Sequence, residues 1–256
     1  GERQLHSWTN AIRVDPEAFA ELYQPCTIDD FEEDQRWPKG LLYYDFNLND
    51  AARFHTDDMA TSGVFSHSSS DGTDFGARLA RFYGESAWIG ENIAAGYGDP
   101  MSALFDGWMC SEGHRYNIML EEYNELGTGV LSLHYTQDFA VGNIVTASPI
   151  AMAVHEPESP STEVSFMADW ESTVPTRIEV VLNGIPLEMG LIYGTETLGV
   201  YTADALPEPG CNSYYIYWET DSASGTFPET GSYTFGICED SIPWTAEQIP
   251  VDGEDD

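Results

Sequence analysis

Five of the six histidines fall within residues 1–150, and two of them keep unusual company. Phe65-Ser66-His67 runs into the loop Ser68-Ser69-Ser70-Asp71-Gly72. Three further clusters follow in order: Gly90-Glu91-Asn92-Ile93-Ala94, Ser111-Glu112-Gly113-His114-Arg115 and His134-Tyr135-Thr136-Gln137. Imidazoles among serines and carboxylates are the ingredients of acyl transfer, with Ser66, Ser68 or Ser111 beside His67 or His134 and Glu91 orienting the ring. Against that chemistry, no strained turn surrounds these serines. No nucleophile elbow, P-loop, dinucleotide fingerprint or H-E-x-x-H occurs either. The other histidines read differently. His55 shares a helical face with Leu48, Ala52 and Met59, as a packed core histidine would. His6 and His155 are expected at the surface. His114, following Gly113, either bonds the last carbonyls of a helix or lines a groove. Arg115 and Asn117 read as fixing the loop after that helix.

The elements that must position these groups are marked by periodicity. Leu5, Trp8 and Ile12 form one helical stripe, and Asp15-Pro16 reads as an N-cap with proline at the first helical position. Phe19, Leu22 and Tyr23 supply the next stripe, and the acidic run Asp29 to Asp34 reads as an exposed loop. Leu48, Ala51, Ala52, His55 and Met59 repeat at helical spacing; Phe75, Leu79 and Phe82 follow, with Gly84 as the stop. Asp99-Pro100 opens a helix whose inner face is Met101, Leu104, Phe105 and Trp108. Glu112 either extends that inner face by one turn or lies in water beyond a helix that ended near Ser111; spacing leaves both open. From Leu126 the pattern turns to strands, with Leu131, Leu133 and Tyr135 on one face and His134 on the other. Helices first and strands afterwards predict an α+β, α-β-α layered domain over residues 1–150. Residues 151–160 read as a linker. Residues 161–250 read as a small all-β, Ig-like sandwich, in which Asn183-Gly184 marks a type I′ hairpin, and 251–256 as an acidic tail.

Composition removes several functions. Nine Lys and Arg stand against 44 Asp and Glu, a formal charge of −35, which speaks against nucleic acid and anionic lipid surfaces as partners. Hydrophobic residues at 42% and aromatics at 13% are too many for a disordered acidic chain. No apolar run reaches the roughly 20 residues of a membrane span. Lys39 is the sole lysine, and Arg177 the sole basic residue after position 150. The four cysteines are too scattered for a zinc ribbon and contain no C-x-x-C. They predict an exported protein, with Cys26–Cys110 and Cys211–Cys238 as the expected pairing out of three arrangements. A start at Gly1 rather than Met is expected to reflect removal of a leader or tag.

Taken in order, the histidine and glutamate clusters resemble the CAP superfamily of cysteine-rich secretory proteins, antigen 5 and pathogenesis-related proteins, in its bacterial form. The resemblance covers roughly residues 1–148. His55 to Ala60 is similar to the family's first core helix and Phe65-Ser66-His67 to the turn after it. Gly90 to Ala94 is similar to its G-E-N-I segment, Trp108 to Ile118 to W-x-x-S-x-G-H-R-x-N-I, and His134 to Gln137 to H-Y-T-Q. The β region carries no equally specific resemblance. The resemblance implies a groove holding two histidines and two acidic residues, here His67, Glu91, Glu112 and His134, and it favours a buried Glu112. Two neutral imidazoles beside carboxylates can hold a divalent ion such as zinc. His67 and His134 would be its ligands, with Glu91 and Glu112 taking the other ring N–H groups; the alternative is a metal-free hydrogen-bond network. No organic cofactor is expected. His114 and Gln137 would line a groove that takes a small ligand, lipid or peptide, in a secreted or envelope-associated protein. Whether it is an enzyme stays open. The other readings are a metal-assisted or serine-type hydrolase on the same four residues, and a non-catalytic adhesive module whose β domain contacts proteins or divalent cations.

Overall fold

A computed structural model describes residues 1–23, 28–84, 88–144, 148–157 and 163–238. Cys26 and the expected tail 251–256 lie outside them. Helix ends fall where capping chemistry puts them. Helix α1 (Glu2–Val14) stops at Asp15, whose carboxylate accepts from the Ala18 amide at 3.0 Å and opens α2 (Pro16–Leu22). After the short strand β1 (Tyr43–Tyr44), Asp45 caps α3 (Phe46–Ser62), which ends on Gly63 at φ 72°. Asp74 caps α4 (Phe75–Phe82). Strand β2 (Ile89–Ala95) leads to Asp99, which caps the single turn α5 (Pro100–Ser102). That turn widens into a π-helical stretch, Ala103–Trp108, before the chain extends at Ser111 and starts afresh as α6 (Glu112–Met119).

Strands β3 (Glu125–Leu131) and β4 (His134–Ala140) complete a sheet of order β1-β3-β4-β2. Helix α3 covers one face; α1, the π-helical stretch and α6 cover the other, giving the α-β-α layers the sequence predicts. Gly127 explains how close α3 comes: a Cβ there would lie 2.2 Å from the carbonyl carbon of Leu48. On the opposite side Leu5, Ile12, Leu104, Trp108, Ile118, Tyr135 and Phe139 form one apolar core. The hairpin into β4 corrects the expected alternation. Ser132 and Leu133 take φ of 46° and 64° and form the turn itself, so Leu131 and Leu133 are exposed and Tyr135 alone is buried.

The rest is all-β. Strands β5 (Ile150–Glu156), β6 (Val164–Glu171), β7 (Arg177–Leu182), β8 (Ile185–Glu188), β9 (Gly190–Thr195), β10 (Leu198–Ala205), β11 (Cys211–Glu219), β12 (Ser224–Phe227) and β13 (Tyr233–Gly236) make two sheets, ordered β5-β6-β10-β9 and β12-β11-β7-β8, with β13 beside β11. Phe166, Trp170, Val180, Tyr214 and Ile216 pack between them. Asn183 and Gly184, at φ 51° and 82°, turn β7 into β8 as predicted. Cys211 and Cys238 are bonded. Cys110 is disulfide-bonded as well, while its predicted partner Cys26 is not among the described residues.

Two expectations fail together. The first part of the expected linker 151–160 is not linker but strand, because β5 runs through Glu156 and pairs with β6; residues 158–160 lie outside the described residues. Nor is α1 a one-sided amphipathic helix. Leu5 and Ile12 face the first sheet, while Ala11 and Val14 pack with Val154, Met167 and Val200 of the β region. The polar residues of its second face are therefore buried too. Ser7 donates to Asp169 at 2.6 Å and Asn10 to the same carboxylate at 2.9 Å. His6, expected at the surface, is wholly buried against the Leu42 carbonyl, and burial pushes it down to about 4. His155 stacks on Phe235 and is held at about 3 by burial.

Candidate functional site

The centre is built on the edge strand β2, where alternation sends Glu91 and Asn92 to opposite faces. Glu91 is buried. Its Oε1 accepts from His67 Nδ1 at 2.8 Å, and its Oε2 pairs with Arg78 of α4. Asn92 donates to the His114 carbonyl at 3.1 Å and accepts from Asn117 at 2.9 Å, tying α6 to the strand. Gly90 is small because Tyr123 Oη would stand 2.5 Å from a Cβ at that position. The G-E-N run thus faces two ways, Gly90 and Asn92 towards Asn117 and Glu91 towards His67, each residue type set by what it meets.

The loop carrying His67 is pinned from behind. His55 of α3 bonds the Ser66 carbonyl at 2.9 Å, and Arg78 donates to the His67 carbonyl at 2.9 Å. Arg78 is wholly buried, and its pairing with Glu91 is of the kind whose disruption costs about 3–5 kcal/mol. All this buried polarity supports one exposed group: the His67 ring is 56% exposed. Because Glu91 accepts, Nδ1 carries the hydrogen, and the neutral ring turns the lone pair of Nε2 to solvent. The hydrogen bond to Glu91 raises the His67 pKa, outweighing partial burial. His55 is held below the ordinary histidine value by burial, despite Glu91 at 3.8 Å. His114, in the first turn of α6, is half-buried; burial and then the nearby His67 charge lower its pKa. It therefore has no helix C-terminus to cap, and it stands on the His67 side of the molecule.

Three residues expected in the groove lie elsewhere. His134 pairs across the ladder with Ala95, whereas Glu91 pairs with Asp138. Four residues at ~3.3 Å each put His134 roughly 13 Å along the strand, where its ring bonds the Ser132 carbonyl at 3.1 Å. Glu112 is exposed, because the helical turn breaks after Trp108 and α6 restarts with Glu112 as its first residue. Gln137 points into the interior on the Asn92 face, where it donates to Thr9 at 2.8 Å. The serines are not poised for attack either: Ser66 Oγ accepts from the Ser68 amide at 3.1 Å. Arg115 does not fix the loop after its helix as expected: it donates to Gln35 and to the Met109 and Asp30 carbonyls, tying the start of α6 to the segment around residues 30–35. Arg78 is the residue that sequence reasoning misses, although positions 75, 78, 79 and 82 form one inward stripe.

The donor set does not suit a zinc centre with three protein ligands. His67 and His134 are apart, and among the described residues no group of three or more His, Cys, Asp or Glu side chains converges to hold an ion. A cleft of about 530 Å³ at the junction with the β region, lined by Tyr43, Trp218 and Thr220, includes none of these histidines.

Among known protein families, residues 9–144 match the cysteine-rich secretory protein family, CAP. Over 98 residues the chain is 37% identical to the uncharacterized membrane protein YlbC of Bacillus subtilis, covering 38% of this chain and 28% of that protein. Over 111 residues it is 34% identical to the uncharacterized protein YkwD of the same organism, covering 41% and 42%. The chain thus spans less than half the length of either relative. Among solved structures, an extracellular protein containing an SCP domain from Bacillus anthracis is 33% identical, with a TM-score of 0.45 over 55% of this chain and 40% of that one.

Proposed function

The chain belongs to the cysteine-rich secretory protein family, and from that premise we propose that it binds a small ligand, a lipid or a peptide, at His67. The observation that carries this reading is the inverted distribution of charge. Glu91 and Arg78 are buried at considerable cost, yet the group they orient is an exposed imidazole. Breaking such a pair would be costly, so it holds the position and orientation of the group it carries. Val64 and Phe65, exposed just ahead of His67, and exposed Tyr116, two residues after His114, supply apolar surface for the rest of a ligand. No step is routed through a metal. The Cys211–Cys238 bond supports a site of action outside the reducing cytosol.

A defined panel of palmitate, a cholesterol ester and short neutral peptides, with affinity measured by calorimetry and the site followed through the His67 ring resonances of the wild type, tests the proposal. Binding should shift those resonances and weaken at least tenfold in His67→Ala. Equal binding by His67→Ala would place the ligand elsewhere. A carboxylate behind an imidazole is also the base half of a hydrolytic centre, which favours hydrolysis as the second reading. Esterase and peptidase turnover that vanishes in His67→Ala would select it.

A further inference from the structure

Behind the His67–Glu91 pair stands a second buried acid. Asp138 lies on β4 directly opposite Glu91, with Gly127 of β3 on its other flank. It is wholly buried, and among the described residues no donor reaches either carboxylate oxygen. An ionised carboxylate so placed would leave every lone pair unfilled in a dry interior, beside a second carboxylate.

The charged and titratable groups around it fix its state. From β2 comes Glu91, and from α4 comes Arg78, the one permanent cation at the centre. From β3 there is no side chain, since the residue opposite is Gly127, and α3 closes over that glycine with the backbone of Leu48 and Asn49. From α3 comes His55, kept neutral by burial; His67 reaches the far side of Glu91. One cation cannot balance two anions, so one carboxyl group keeps its proton. Glu91 collects the N–H donors of Arg78 and His67 and is the anion; Asp138, which collects none, is the acid. Burial, followed by the negative charge of Glu91, drives Asp138 well above the usual carboxylate range. Its protonated form supplies what the geometry lacks, a donor aimed across the ladder.

We infer that Asp138 is a positioning residue of this site, a buried carboxylic acid whose O–H donates to Glu91 and holds that carboxylate in line with His67. The hydrogen bond fills the remaining side of Glu91, so the exposed imidazole is oriented by a chain running His67–Glu91–Asp138, with Arg78 as counter-ion. The inference deepens the ligand-binding reading and rests on it only for its consequence, since the hydrogen bond itself exists without any ligand.

The test uses the full chain at neutral pH. Infrared and carboxyl-carbon NMR spectra should show, beside the partly protonated Asp169, a protonated carboxyl group that is absent in Asp138→Asn. Asparagine keeps an N–H donor and cannot ionise, so the His67 titration midpoint should stay where it is in the wild type. In Asp138→Val, which removes the donor, Glu91 becomes a stronger acceptor and the midpoint should rise. A wild-type spectrum in which no protonated carboxyl signal is lost on Asp138→Asn overturns the inference. So does a fall of about one pH unit in the His67 midpoint of Asp138→Asn, the response to deleting a nearby negative charge. Should the valine variant not fold, the wild-type spectrum and the asparagine variant still decide. Ligand binding is read separately: a confirmed carboxylic acid with ligand binding unaltered in His67→Ala would sink the functional reading and leave this one standing.

Discussion

Replacing Asp169 by asparagine should change how the stability of this protein depends on pH. Asp169 is wholly buried where α1 meets β6, and burial lifts its pKa from 3.8 to about 7, against the opposing effect of the Ser7 and Asn10 donors and of Arg3. Because the folded-state value is the higher one, the native protein binds a proton that the unfolded chain has released. The group's stabilising contribution is full below about pH 4 and is lost as pH rises towards 7. A gap of about three pH units at 1.36 kcal/mol each comes to about 4 kcal/mol across that window. Asparagine cannot ionise, so this dependence disappears. It keeps an acceptor for Ser7 but sets its own amide against the Asn10 amide, a loss of about 1–2 kcal/mol at every pH. The variant should therefore be the weaker protein in mild acid and should match or exceed the wild type above neutrality. Urea unfolding from about pH 4 to about pH 8, plotted as the difference between the two proteins, removes the background of the other carboxylates. A flat difference curve would refute the assignment, since it would mean that Asp169 has the same charge in both states throughout.

Three further outcomes follow from the same structure. Glu91→Gln replaces the charged acceptor whose hydrogen bond chiefly raises the His67 pKa with a neutral one, so the ring's NMR midpoint should drop towards or below 6.5; an unmoved midpoint would show that the carboxylate does not bond the ring in solution. Gly127→Ala places a methyl 2.2 Å from the Leu48 backbone and should cost about 3 kcal/mol or more as α3 is pushed off the sheet, whereas a wild-type melting temperature would contradict that close approach. Exchanging Cys211 and Cys238 together for serine opens a 27-residue loop and should cost about 3.5 kcal/mol in urea unfolding, while an unchanged midpoint would mean that the bridge constrains nothing in the unfolded chain.

Which parts of this architecture the residues announce follows a physical division. Asp15, Asp45, Asp74 and Asp99 each cap the helix they precede, and Asn183-Gly184 turns the hairpin it promises, because these are contacts between residues a few positions apart. Errors arise where backbone geometry departs from the regular period or a stretch meets a distant one. Strand alternation carried through Ser132 and Leu133 misjudges what Leu133 faces, because their positive φ values break it. Spacing from Trp108 cannot place Glu112, since the π-helical stretch and the extended Ser111 reset the helical phase between them. One amphipathic stripe on α1 makes His6 look solvent-facing, yet the Leu42 carbonyl and the Tyr44 ring cover it, while the β region covers Ala11 and Val14.

From its order of residues alone this chain determined its family, its α-β-α followed by all-β plan, and the pairing of His67 with Glu91 as the heart of a polar centre. Tertiary packing alone decided that His114 rather than His134 stands near that pair, that Arg78 and Asp138 support it, and that α1 is shared between two sheets. The reason is that periodicity tells which face of an element is apolar but says nothing of which element will cover it. The partner of a buried charge is chosen by tertiary packing, and buried Arg78 and Glu91 meet although they lie 13 positions apart on different elements.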